Sequence, residues 1–93
     1  MMDMDLDSCF NIATEVQARH VGDELVMLDL KTGTYFGLDT VGRRFWDLLS
    51  NGASLRQICN TLIEEFDTTL EVLERDTLVL AHNLADKNLI LPA

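Results

Sequence analysis

The residues most able to do chemistry are few and dispersed. The two histidines, His20 and His82, stand alone, and neither sits at a metal-binding spacing such as HExxH. Cys9 and Cys59 are too far apart to form a CxxC pair. Both read as reduced thiols, Cys59 packed within a helix, with a single disulfide between them as the alternative. The five glycines are scattered and build no phosphate-cradling loop. Glu64, Glu65, Glu71 and Glu74 read as a solvated helix face. No nucleophile–base pair and no ligand set emerges, so the expectation is a non-enzyme with no metal and no cofactor.

What remains is recognition chemistry. Thr34-Tyr35-Phe36-Gly37-Leu38 is rich in β-formers and carries neither charge nor proline to blunt an exposed edge. Such an edge accepts an extended peptide as an added strand. Main-chain hydrogen bonds then supply affinity, and side-chain pockets supply selectivity. Gly37 shares a face with Tyr35 and leaves room for a close approach. The alternative is an edge covered by a helix or by a dimer partner.

The flanking elements follow from periodicity. Thr14 to Val21 alternates with period two, Val16, Ala18 and His20 on one face, and reads as a half-buried strand. Gly22-Asp23 turns the chain into a second strand, Glu24 to Leu30, apolar on both faces and therefore central. Lys31-Thr32-Gly33 is a hairpin loop into the 34–38 strand. Three helices follow. Asp39 or Thr40 caps the first, Val41 to about Leu49. Ser54 caps the second, whose stripe Leu55, Ile58, Cys59, Leu62, Ile63, Phe66 runs to about Phe66. The third runs from about Leu70 to Lys87, with Leu73, Thr77, Leu80, Ala81 and Leu84 as its core stripe. A second patch on this helix, Val72, Asp76, Val79 and Asn83 edged by Arg75 and Asp86, is part apolar and part polar. One core face does not require it. Leu89 to Leu91 should pack back as a short extended tail.

The expected fold is α+β: a three-stranded antiparallel sheet followed by three helices, winged helix-turn-helix-like. With 93 residues the chain holds one domain, expected over 13–93. Residues 1–12, with alternating Asp, read as a flexible acidic arm. Sixteen Asp and Glu against seven Lys and Arg leave a net charge of −9. That balance disfavours nucleic acid and anionic membranes as partners. A DNA-binding winged helix is the competing class, but its third helix would carry Glu71, Glu74, Asp76 and Asp86 toward phosphates. A structural dimer paired through the 34–38 strand is a further alternative. No apolar run approaches a membrane span, and the acidic start is unlike a secretion signal, so a cytoplasmic location is expected.

The run from Leu28 through Leu49, with LDLKTGTYFGLDTVGRRFWDLL, resembles PqqD-like proteins. So do Asn51-Gly52 before a capped helix, Asp76 in the third helix, and the closing Leu84 and Leu89-Ile90. The likeness spans about residues 14–91. It implies a recognition element for ribosomally synthesised, post-translationally modified peptides, a peptide chaperone that binds a precursor's leader and presents it to a leader peptidase or modifying enzyme. In that family the leader adds beside the third strand and lies against the third helix. Carried onto this chain, the site comprises Thr34, Tyr35, Phe36, Gly37 and Leu38 with Val72, Arg75, Asp76, Val79 and Asn83. Apolar leader side chains would fill the groove between Phe36 or Tyr35 and Val72 or Val79. Asp29-Leu30-Lys31-Thr32-Gly33 replaces the Tyr-Pro-Glu-Gly-like turn of the pyrroloquinoline quinone protein. The Tyr35-Phe36 and Phe45-Trp46 pairs look more like the stand-alone proteins of lasso-peptide clusters. A pyrroloquinoline quinone biosynthesis chaperone is the alternative within the family. The expected state is a monomer or weak dimer.

Overall fold

The computed structural model describes residues 4–93. Its elements run β1 (Phe10–Ile12), β2 (Val16–Val21), β3 (Glu24–Asp29), β4 (Thr34–Leu38), α1 (Thr40–Ser50), α2 (Leu55–Glu65), α3 (Leu70–Asp86) and β5 (Ile90–Pro92). The antiparallel sheet has the order β2-β3-β4, so the 34–38 strand is β4 and lies at an edge. Its register sets Phe36 opposite Met27 and Tyr35 opposite Leu28.

Local chemistry fixes the turn that delivers β4. One Asp29 carboxylate oxygen accepts the Lys31 N–H at 3.0 Å, and the other accepts the Thr32 hydroxyl at 3.1 Å. Gly33, at φ +73°, donates its N–H to the Asp29 carbonyl at 2.7 Å. The positive φ favours glycine there. Asp29 is thereby satisfied although it is buried.

Leu25 and Met27 of β3 point inward onto Phe45, Trp46 and Leu49 of α1, and Leu55, Ile58, Cys59 and Leu62 of α2 close the core. Trp46 is a core residue, 4% exposed. Asp39 caps α1, its carboxylate accepting the Gly42 N–H at 2.8 Å. Ser54 and Gln57 cap α2 reciprocally. A bidentate Arg44–Glu65 pair at 2.8 Å ties α1 to the end of α2 and holds the Glu65 carboxyl below its ordinary range.

The amino-terminal stretch departs from expectation. From Met4 onward it is built into the domain. Met4, Leu6 and Ile12 pack on the core, Phe10 is buried within it, and β1 pairs with β5 in a second, two-stranded sheet. The carbonyls of Ser8 and Leu6 accept the N–H groups of Leu55 and Arg56, in the first turn of α2. Asp7 pairs with Arg56 at 3.0 Å, which lowers the Asp7 pKa. A helix start has unsatisfied N–H groups and a partial positive charge, so an acidic segment is a fitting cover. The apolar residues alternate with the aspartates, and that period-two pattern outweighs the charge. Residues 1–3 of the expected arm lie outside the described residues.

β2 also differs. The half-buried strand expected there is mostly exposed, with only Val16 partly covered. It is the outer strand, and α1 meets it through polar groups. His20 Nε2 lies 3.0 Å from Asp47 Oδ1, and Arg43 reaches the Gly22 carbonyl at 3.5 Å.

Candidate peptide-binding site

Alternation along β4 divides its side chains between two faces. Phe36 and Leu38 share the inner face with Met27 and Leu25, and both are half-buried against the core. Tyr35 and Gly37 lie on the outer face with Leu28 and Val26. Tyr35 is 68% exposed and lines a shallow concavity of about 590 Å³ with Arg19, Val21 and Leu28. Of the two aromatic residues expected at the groove, Phe36 therefore faces the helices and Tyr35 faces away from them. No strand covers the outer edge of β4 among the described residues, so backbone groups of Thr34 to Leu38 are open to pairing.

The opposite wall is α3. Thr69 caps it, and Leu73, Thr77, Ala81 and Leu84 bury one side. The helix packs on α2 and β5 rather than against β4. Its second patch is open to solvent: Val72 is half-buried, while Arg75, Asp76, Val79 and Asn83 are exposed, Val79 by 55%. Asp76 has the neighbouring Arg75 guanidinium at 3.6 Å and no role in packing.

One contact orients this patch. The Lys87 ammonium lies over the Phe36 ring, 6.0 Å from its centroid. Lys87 is four residues beyond Asn83 and eleven beyond Asp76, on the same side of the helix. That contact brings the carboxyl end of this side of α3 beside β4. Lys87 therefore joins the candidate site, although the sequence marks it only as the helix end. The spacing 79, 83, 87 could have found it.

The stop of α3 fixes where Lys87 sits. Asn88 takes φ +59°, its N–H bonds the Ala85 carbonyl, and Leu89 N–H bonds the Leu84 carbonyl, both at 3.0 Å. Leu84 and Leu89 are both buried beneath this turn.

Residues 24–90 match the family described as coenzyme PQQ synthesis protein D (PqqD). The chain belongs to the PqqD family. A solved structure described as "TbiB1 in Complex with the TbiA(beta) Leader Peptide" is similar at 40% identity with a TM-score of 0.81, covering 86% of this chain and 93% of that one. A second, described as "Lasso peptide synthetase B1 complexed with the leader peptide", shares the fold at 24% identity and a TM-score of 0.82, covering 89% and 98%. No curated protein matches the chain. The PqqD-family match begins at β3 and ends at β5, so it contains the whole of β4 and α3.

Among the described residues no three His, Cys, Asp or Glu side chains gather as metal ligands. The site's chemistry consists of an open strand edge, apolar surface from Phe36, Leu38, Val72 and Val79, and charges at the rim.

Proposed function

We propose that this chain is a non-catalytic leader-peptide-binding module. It takes the leader of a ribosomally made, post-translationally modified precursor as an extra strand on β4, inside the groove shared with α3. It then hands that peptide to a leader peptidase or modifying enzyme of the same pathway, in the cytoplasm. The observation that carries this reading is the unpaired edge of β4 opposite the half-apolar side of α3. Similarity at 40% identity to a protein solved with a leader peptide supports it. Within the family we favour a stand-alone protein of the lasso-peptide type.

Binding of this kind orders a flexible peptide, and that entropy cost offsets part of the contact energy. The expected affinity is micromolar to tens of nanomolar, about −8 to −10 kcal/mol. Phe36 with Val72 and Val79 would supply the apolar contacts, while the backbone of β4 supplies direction and register.

The test is titration with a synthetic copy of the leader encoded beside the gene, followed by amide NMR. Saturable shifts should cluster on residues 34–38 and 72–83. Val79→Asp changes an exposed side chain, so it should keep the fold by circular dichroism while weakening binding about tenfold or more. Absence of saturable binding, or an undiminished affinity in Val79→Asp, overturns the groove.

A further inference from the structure

Seven cations serve this acidic chain. Arg43, Arg44, Arg56 and Arg75 each have a carboxylate within 4.0 Å. Arg19, Lys31 and Lys87 have no ion-pair partner among the described residues. Two of these three, Lys31 and Lys87, line one cavity of about 390 Å³. They arrive from separate elements, the β3–β4 turn and the end of α3. A cation at a helix C-terminus complements the helix dipole, which accounts for Lys87 alone. It does not account for a second lysine at the same cavity, supplied by the turn.

The cavity lies at the turn that leads into β4. Lys87 contacts the Phe36 ring on the groove side and lines the cavity with Thr32 on the other. Two carboxylates also border it, each held by neutral donors of its own segment and neither paired with a lysine. Asp29 accepts from Lys31 N–H and the Thr32 hydroxyl, and Glu15 accepts from the Thr14 hydroxyl at 3.1 Å. The ammonium groups are the donors left without a mate, and Leu91 supplies an apolar wall beside them. A strand added to β4 alternates its side chains. One that points inward at the Thr34 end would enter this space.

We infer that Lys31 and Lys87 form an acidic-residue subsite, which recognises an Asp or Glu side chain of the bound leader at the turn end of the groove. This rests on the leader-binding reading above. It adds a sequence requirement: a carboxylate at one fixed position of the leader, in register with Thr34 to Phe36.

The experiment uses the full chain and the synthetic leader encoded beside its gene, each acidic residue of the peptide changed singly to its amide. One such change should weaken binding to the unaltered protein about five- to tenfold, the scale of a partly exposed charge-assisted contact. The same change should have little further effect on the Lys31→Met/Lys87→Met double variant, whose substitutions lie on an exposed turn and an exposed helix end. Lys31→Glu/Lys87→Glu should prefer the peptide with lysine at that position. If every amide peptide binds the unaltered protein as well as the native one, or the loss persists undiminished in the double variant, the subsite is wrong while leader binding stands. If the native peptide itself does not bind, the leader-binding reading fails and the subsite with it.

Discussion

Thr77 and Cys59 show how a polar group is kept in the core. The Thr77 hydroxyl bonds the Leu73 carbonyl one turn back in α3 and lies 3.0 Å from Cys59 Sγ on α2. Both side chains are buried, so the α2–α3 contact contains a satisfied polar pair within apolar surroundings. Burial pushes the Cys59 thiol pKa up, and the Thr77 contact offsets part of that rise. A raised pKa leaves less thiolate at any pH, and the thiolate is the reactive form. Cys9 is only half-buried. With an alkylating reagent at mildly basic pH, mass spectrometry should find one label gained early, on Cys9. The Cys59 label should appear only when denaturant unfolds the domain. Equal rates for the two thiols would contradict the packing of α2 on α3.

At the scale of elements, the end of α3 carries structural and recognition roles together. Asn88 holds a left-handed conformation that costs most residues about 1–2 kcal/mol and glycine almost nothing. Asn88→Gly should therefore leave the melting temperature unchanged or slightly raised. Asn88→Val should lower it by several degrees, about 4–8 °C per kcal/mol for a domain this small. It should also weaken leader binding, because the turn sets the position of Lys87. Differential scanning calorimetry and the peptide titration check the two effects separately. Much of this architecture was readable beforehand. The meander, the caps at Asp39 and Ser54, and the three amphipathic stripes follow from period and capping chemistry. β1 is hard to read because its acidic setting masks the alternation of Leu6, Phe10 and Ile12 with polar neighbours, and because its partner β5 lies at the far end of the sequence. Spacing alone does not reveal that Lys87, at a helix end, reaches an aromatic ring on a strand. The sequence leaves Phe36 or Tyr35 as the aromatic contact, and only the sheet's packing shows that Phe36 is the one turned toward the helices.

For the whole molecule, charge sets the response to acid. The bidentate Arg44 guanidinium holds the Glu65 carboxyl below its ordinary value of 4.5. A lowered carboxylate pKa contributes stability that is present above the ordinary value and is lost as pH falls through the lowered one. Both side chains are about one-third exposed, so the pair contributes at most about 1 kcal/mol after solvent screening. Arg44→Met should melt below the unaltered protein at pH 7. The gap should close on acidification below the Glu65 pKa, and thermal melts across pH read it directly. A gap that persists at low pH would assign the loss to packing of the arginine stem instead. The β1–β5 clasp has a different consequence. Phe10 stands opposite Pro92, and Ala93 N–H reaches the Cys9 carbonyl at 3.0 Å. The clasp thus ties the segment that precedes the sheet to the segment that follows the last helix. Neither strand has another partner among the described residues, so pulling either one away would strip the backbone pairing from both.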